Sequence, residues 1–239
     1  MKRSSVRAAA AALGLTLGLL AGCSSSEAPV AEIFTLVDLS ETWLNPGAAD
    51  RNADVLEEVG EGIVGASETL MPMSVQYRII GDASYERPPV CDVVFRPRLV
   101  NTSKKKPAWL ITQPKAFERY LATDCPASLL GRAPEPLTEI SAAIASIASK
   151  PQTPGAQRTL IVLSDFLEEA PETTSLEDFD FSKVRVLLLY RPLVRETAQV
   201  TRQRVSEWRD LLKSRGAAVT VWPDTALKRA DIATYLQLK

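Results

Sequence analysis

Oxygen-bearing side chains follow two apolar runs of this sequence, and metal binding is the chemistry that they suit. Asp38, Ser40 and Thr42 stand at alternate positions after the first run, and Asp165 follows the run "LIVLS". Thr138 stands at the start of a predicted helix between the two runs. Carboxylates and hydroxyls are hard oxygen ligands, which Mg²⁺ prefers in near-octahedral sites. Since each residue type is also common in turns and helix caps, only their joint placement favours a metal site.

The elements that must position these residues alternate between strand and helix. Apolar runs predict strands over 33–38, 73–82, 158–166, 183–190 and 217–224, with shorter strands over 90–95 and 108–112. Apolar residues at three- and four-residue steps predict helices over 52–70, 115–130, 138–150, 195–215 and 225–238. The alternation predicts an α/β fold of the Rossmann-like, doubly wound type, with a mostly parallel sheet and helices on both faces. Ligands bind at the carboxyl ends of the strands in such sheets, where Asp38 and Asp165 are expected.

Missing residue types narrow the classes of function. The chain of 239 residues has no histidine and only three cysteines, which excludes Ser-His-Asp and Cys-His catalysis, histidine-based zinc sites and a four-cysteine zinc site. It has neither a GxxxxGK[ST] phosphate loop nor a GxGxxG motif. Beyond residue 22 the chain carries 25 Lys and Arg against 29 Asp and Glu, a net charge of −4. This mildly acidic balance argues against nucleic acid as a partner.

The first residues have the pattern of an export signal. A basic stretch, "MKRSSVR", precedes an apolar stretch and then "LAGC" at 20–23, which resembles the lipobox of bacterial lipoproteins. The resemblance implies that residues 1–22 are removed and that Cys23 is lipidated, as with palmitate, and anchors the chain in a membrane. Residues 23–31 form the anchor and tether, and 32–239 the folded domain. An ordinary secretory signal with a chance cysteine is the alternative.

Export places the domain in the cell envelope, facing outside the cytoplasm. Ser24 after the lipidated cysteine resembles outer-membrane sorting, if the organism has two membranes. Cys91 and Cys125 then lie in an oxidising compartment, where a pair of cysteines usually forms a disulfide. Two buried free thiols are the alternative. Both cysteines fall in a Pro-rich excursion at 83–130, where five prolines interrupt any long element.

Three motifs together resemble the von Willebrand factor type A family. "DLSET" at 38–42 resembles the DxSxS motif of that family, "LTEISAAI" at 137–144 resembles its threonine motif, and "LIVLSDF" at 160–166 resembles its third, aspartate motif. The resemblance covers roughly residues 32–238, with 83–130 the poorest match. It implies a metal-ion-dependent adhesion site for Mg²⁺ or Mn²⁺, in a binding module and not an enzyme.

The resemblance also implies a role for each residue of the site. Ser40, Thr42 and Thr138 would coordinate the ion through their hydroxyls, whereas Asp38 and Asp165 would act mainly through bound waters. An Asp or Glu of an unidentified partner protein would fill the open coordination position. Few direct carboxylates leave the ion more electrophilic toward that incoming acid.

Three departures from the family pattern are visible. Thr42 replaces the final serine of the first motif, and Phe166 replaces the glycine after Asp165, where it is expected to close or reshape the rim of the site. About a hundred residues separate Asp38 from Thr138, because of the Pro-rich excursion.

Two other functions stay open. One is a degenerate scaffold of the same family that binds no metal. The other is a Mg²⁺-dependent phosphoryl-transfer hydrolase on a similar sheet. Such enzymes often need a second carboxylate two positions after the first, and Ser40 occupies that position here.

Overall fold

One seven-stranded sheet organises the described part of the chain. The computed structural model describes residues 28–44, 49–97, 109–169, 174–193 and 196–238. Its strands are β1 (Ala31–Asp38), β2 (Met73–Ile80), β3 (Cys91–Phe95), β4 (Leu110–Ile111), β5 (Gln157–Ser164), β6 (Val184–Tyr190) and β7 (Ala218–Pro223). Its helices are α1 (Ala49–Ala66), α2 (Pro114–Arg119), α3 (Cys125–Leu130), α4 (Ile140–Ala148), α5 (Ala198–Ser214) and α6 (Arg229–Gln237). Within these ranges, none of the helices has the length and hydropathy needed to cross a bilayer.

The strand order confirms the predicted doubly wound α/β fold. Neighbouring strands run in the order β4-β3-β2-β1-β5-β6-β7, and every pair is parallel except β2 with β3. The order reverses at β1, which pairs with β2 on one side and β5 on the other. This reversal opens a crevice at the carboxyl ends of β1 and β5, where ligands bind in such sheets.

Both faces of the sheet are covered, which explains its continuous apolar strands. All eight residues of β1 are buried. Ile33 and Val37 join the core beneath α1 and α6, whereas Phe34 and Leu36 join the core beneath α4 and α5. Since successive side chains of a strand point to opposite faces, burial on both sides removes the polar alternation of a one-sided sheet.

The Pro-rich excursion contributes two strands and a disulfide. Strands β3 and β4 extend the sheet at one edge, and the helix predicted over 115–130 consists of α2, a π-helical turn at Tyr120–Asp124, and α3. Cys91 begins β3 and Cys125 begins α3, and their sulfur atoms are bonded, with Cα atoms 6.0 Å apart. The predicted disulfide is therefore confirmed, and it fastens this helical segment to the sheet.

A glycine lets helix α1 approach that segment closely. A Cβ atom at Gly60 would lie 2.4 Å from the carbonyl oxygen of Leu121, in the π-helical turn. No side chain fits at that distance, so the glycine serves packing and not backbone flexibility.

Two predicted boundaries near the candidate site are wrong by a few residues. The helix predicted from Thr138 begins at Ile140, and the strand predicted to reach residue 166 ends at Ser164. The carbonyl oxygen of Thr138 accepts a hydrogen bond of 3.1 Å from the backbone N–H of Glu169. That bond ties Thr138 to the loop after β5, in a region that precedes the first turn of α4.

Candidate metal centre

The carboxylate of Asp38 is buried and fixed at the end of β1. Parallel pairing of β1 with β5 brings Asp38 beside Ser164, because Val37 is paired with Leu163. The hydroxyl of Ser164 donates a 2.7 Å hydrogen bond to Oδ2 of Asp38, and the backbone N–H of Ser40 donates one of 2.8 Å to Oδ1. Each carboxylate oxygen of Asp38 thus accepts a hydrogen bond from the protein itself.

The hydroxyls of the first motif connect Asp38 to the third motif. Oγ of Ser40 lies 2.9 Å from Oγ1 of Thr42, which donates a 2.7 Å hydrogen bond to Oδ2 of Asp165. The other oxygen of Asp165 accepts a 2.8 Å hydrogen bond from the backbone N–H of Leu167. The structure therefore brings four of the five predicted residues, Asp38, Ser40, Thr42 and Asp165, into one cluster; Thr42 is its exposed member.

The spacing of these oxygens fits an octahedral ion. Mg²⁺ binds oxygen at about 2.0–2.1 Å, so adjacent ligands of an octahedron lie about 2.9 Å apart. The distance from Ser40 Oγ to Thr42 Oγ1, the two hydroxyl oxygens of the cluster that are predicted to bind the ion directly, is 2.9 Å. Among the described residues there is no group of three or more His, Cys, Asp or Glu side chains that could hold a metal. An ion at this edge would therefore depend on hydroxyls.

Burial makes the negative charge of Asp38 costly. The pKa of Asp38 is raised to about 6, first by burial and then by the nearby charge of Asp165, while the hydrogen bonds from Ser164 and Ser40 oppose that rise. Two carboxylates in one crevice without a cation repel each other. A divalent cation between them would offset both the burial and the repulsion.

Thr138 is placed differently from the other predicted ligands. It is buried, and its hydroxyl donates a long hydrogen bond of 3.4 Å to Oε2 of Glu169. Within the described ranges, its hydrogen bonds connect it to Glu169 and not to the cluster around Asp38. Its role as a ligand stays a prediction.

Phe166 has a backbone conformation that favours glycine. Its φ is +62°, in the left-handed region that side chains other than glycine rarely adopt. Its side chain is 1% exposed, and its ring centre lies 6.3 Å from that of Trp208, whose indole N–H donates a 3.1 Å hydrogen bond to the carbonyl oxygen of Phe166. The ring does not close the rim, because it is buried in the core beneath α5. The alternative, that Phe166 reshapes the rim, stays a prediction.

Two supporting residues were missed by the sequence analysis. Ser164, which holds Asp38, directly precedes Asp165, so the pairing of β1 with β5 is the signal that could have identified it. Arg204 of α5 donates a 3.0 Å hydrogen bond from Nε to the carbonyl oxygen of Asp165. Its guanidinium also forms two hydrogen bonds with Glu196, of 2.8 and 2.6 Å, which lower the pKa of that carboxyl. No local sequence signal marks Arg204.

A second polar network holds the residue after Thr42. Nε of Arg191 lies 2.5 Å from Oδ2 of Asp224, and the same guanidinium donates to the side chain of Asn52 and stacks 5.0 Å above the ring of Trp43. The amide of Asn52 donates a 3.3 Å hydrogen bond to the carbonyl oxygen of Trp43. The end of the first motif is thereby fixed to α1 and to the carboxyl ends of β6 and β7.

Comparisons with known proteins show likeness of structure only. No family model and no curated protein matches the sequence. Proximal thread matrix protein 1 of the mussel byssus is 9% identical, with a TM-score of 0.46, over 87% of this chain and 46% of that one. The conserved hypothetical protein BatB of Bacteroides thetaiotaomicron is 13% identical, with a TM-score of 0.44, over 86% of this chain and 98% of that one. A von Willebrand factor type A protein of Catenulispora acidiphila is 14% identical, with a TM-score of 0.42, over 87% of this chain and 41% of that one.

The chain thus spans less than half the length of the mussel protein that it resembles. A further structure of that mussel protein is described as having zinc in its metal-ion-dependent adhesion site. The neighbours include the family that the three sequence motifs resemble. Since all these TM-scores lie below 0.5, the fold assignment is based on the strand order and pairing of this chain.

Proposed function

We propose that the chain is a lipid-anchored binding module of the von Willebrand factor type A kind, which recognises an acidic residue of a partner protein through Mg²⁺ or Mn²⁺. The observation that supports this most is the cluster of two hydroxyls and two carboxylates at the carboxyl ends of β1 and β5. Its residues come from two of the three motifs that resemble one family: Asp38, Ser40 and Thr42 from the first, and Asp165 from the third.

The four clustered residues would share the work of holding the ion. The hydroxyls of Ser40 and Thr42 are oriented toward each other and would bind it directly, with Thr138 as the proposed third hydroxyl. Asp38 and Asp165 would hold its water ligands, because each already has one oxygen fixed by a backbone N–H. A bound divalent ion would supply a strong electrostatic attraction for an incoming carboxylate. Neutral hydroxyls reduce that attraction less than direct carboxylates would.

Metal titration of the purified chain tests the proposal. If Mg²⁺ binds only the folded state, a concentration 100 times its dissociation constant should add about 2.7 kcal/mol to the free energy of unfolding. Calorimetry and thermal unfolding should both report this, and Asp38→Ala should abolish it. Asp180→Ala is the matched control, since Asp180 is an exposed carboxylate in the loop before β6. Absence of binding by millimolar Mg²⁺ and Mn²⁺ in the native chain would instead favour the metal-free scaffold.

The anchoring part of the proposal depends on Cys23, which lies outside the described residues. In cells, Cys23→Ser should release the protein from membranes or leave the leader uncleaved, because the thiol is the acceptor of the lipid. Mass spectrometry of the mature N-terminus measures this directly. An unmodified mature N-terminus at another residue would contradict lipidation and leave the metal site unaffected.

A further inference from the structure

A groove lies between α5 and the two outer strands β6 and β7. It has a volume of about 360 Å³. It is lined by three apolar residues, one tyrosine, one serine and two arginines, namely Val205, Val221, Pro223, Tyr190, Ser206, Arg202 and Arg209. None of these seven residues is acidic. Tyr190 and Pro223 end β6 and β7, so the groove opens at the same carboxyl edge as the metal centre.

The two arginines of the groove differ in whether their guanidinium groups are already paired with other side chains. Arg202 is exposed, and its guanidinium forms no ion pair or hydrogen bond with any residue in the described ranges. Arg209 donates hydrogen bonds to Ser206 at 2.7 Å and to the exposed carboxylate of Asp210 at 2.9 Å. A carboxylate entering the groove would therefore meet one free guanidinium and one that is shared with Asp210.

Helix α5 connects the groove to the metal centre. Arg204 holds the carbonyl oxygen of Asp165, while Arg202 and Val205 on the same turn line the groove. Neighbouring strands lie about 4.8 Å apart, so the crevice between β1 and β5 lies about 10 Å from the space between β6 and β7. An extended segment in the polyproline II conformation advances about 3.1 Å per residue with three residues per turn, so side chains three positions apart lie on the same face. Roughly three residues of an extended partner segment would bridge this distance.

We propose that the groove binds a second acidic side chain of the same partner, about three positions along an extended segment from the acid at the metal. The contact between the first acid and the metal rests on the proposed function. The contact between the second acid and the groove rests on the groove alone. The apolar floor made by Val205, Val221 and Pro223 would accept the methylene groups of a glutamate, while Arg202 would bind its carboxylate. The partner segment is therefore acidic at two spaced positions.

Fluorescence polarisation with two labelled peptides tests the inference on the full chain purified in detergent. One Ser/Gly peptide of nine residues carries glutamate at positions 3 and 6, and the other carries it at position 3 only. With Mg²⁺ present, the two-glutamate peptide should bind about five- to tenfold more tightly, as expected for one added hydrogen bond of ordinary net strength. Arg202→Glu should remove this difference without changing the affinity for the one-glutamate peptide or the thermal shift caused by Mg²⁺.

Two controls separate the groove from the metal centre. Lys183→Glu makes the same charge change at an exposed residue just before β6, at the opposite edge of the sheet, and should keep the difference between the peptides. Asp38→Ala should remove the Mg²⁺-dependent part of binding and leave a weaker preference for the two-glutamate peptide. Loss of Mg²⁺-dependent binding alone would thus count against the proposed function and not against the groove.

Three outcomes would overturn the groove as a site for a second acid. The first is Mg²⁺-dependent binding in which both peptides have equal affinity. The second is a tighter binding of the two-glutamate peptide that persists in Arg202→Glu, or that is lost in Lys183→Glu to the same extent as in Arg202→Glu. The third is absence of binding of the two-glutamate peptide at millimolar concentration, with Mg²⁺ and with EDTA.

Discussion

Thr42 donates a 2.7 Å hydrogen bond from Oγ1 to Oδ2 of Asp165, and so joins two residues that lie 123 positions apart. Thr42 is also the residue at which the first motif departs from the family pattern. The hydrogen bond shows that the additional methyl group leaves the hydroxyl free to face Asp165. Thr42 is exposed, so its methyl group has room on the solvent side.

Substitutions at Thr42 should distinguish the contribution of its hydroxyl to Mg²⁺ binding from that of its methyl group. Thr42→Ser keeps the hydroxyl and should retain binding of Mg²⁺, whereas Thr42→Val keeps the shape and should weaken it at least tenfold, because a ligand oxygen is lost. Isothermal titration calorimetry measures both affinities. Equal affinity in the native chain and in Thr42→Val would show that this hydroxyl is not a ligand.

Asp38→Asn should stabilise the metal-free protein at neutral pH. The pKa of Asp38 is raised from 3.8 to about 6 in the folded state, so the folded state binds the proton more tightly than the unfolded state does. The contribution of Asp38 to the free energy of unfolding is fully present below pH 4. It decreases by about 3 kcal/mol as the pH rises to about 6. Asparagine has no charge to bury and should not show this loss.

Urea unfolding in EDTA at several pH values measures the effect. The difference in unfolding free energy between Asp38→Asn and the native chain should grow in favour of the variant from pH 4 to pH 7. Asp180→Asn, at an exposed position, should show no such growth. With Mg²⁺ added at about 100 times its dissociation constant, most of the variant's advantage should disappear, because only the native chain is stabilised by the ion. A constant difference across the pH range would contradict the prediction.

Phe166→Gly should destabilise the protein less than Phe166→Ala. Both variants remove a buried ring, which costs about 3–5 kcal/mol. Only glycine adopts the φ of +62° without strain, so the glycine variant should be the more stable of the two by about 0.5–1 kcal/mol. Chemical denaturation of both variants provides the comparison. An alanine variant that is the more stable would indicate that the backbone has left the left-handed region.

Reduction of the disulfide should lower stability by roughly 3–4 kcal/mol, from the entropy of a closed loop. The two cysteines are separated by 34 positions, and both are buried. Urea unfolding with and without a reductant measures the loss, and Cys91→Ala with Cys125→Ala should make the protein insensitive to the reductant. Alkylation of both thiols in the unreduced, unfolded protein would contradict the bond itself.

The sequence predicted the sheet well for a physical reason. Strands β1, β5 and β6 are buried on both faces, so each is a continuous apolar run that needs no knowledge of its neighbours to be recognised. Asp38 and Asp165 were placed at one edge by the same reasoning, since parallel strands end together. The disulfide was predicted from two cysteines in a chain that was expected to be exported.

Contacts between distant residues could not be predicted in this way. Thr138 is a suitable helix cap by type, yet its hydroxyl contacts Glu169, and that contact depends on the path of the loop after β5. Arg191 and Arg204 hold the first and third motifs through carbonyl groups and carboxylates far along the chain. Arginine is common on protein surfaces, so neither residue differs locally from a solvated one.

The left-handed backbone at Phe166 bears on how related chains are recognised and how they diverge. A pattern that requires glycine after the aspartate of the third motif rejects this chain, although the position has the torsion angle for which glycine is used. Phenylalanine is tolerated because its ring fills space in the core next to Trp208. Residues 166 and 208 should therefore covary in related sequences, with glycine at the first accompanied by a side chain at the second that fills the vacated volume.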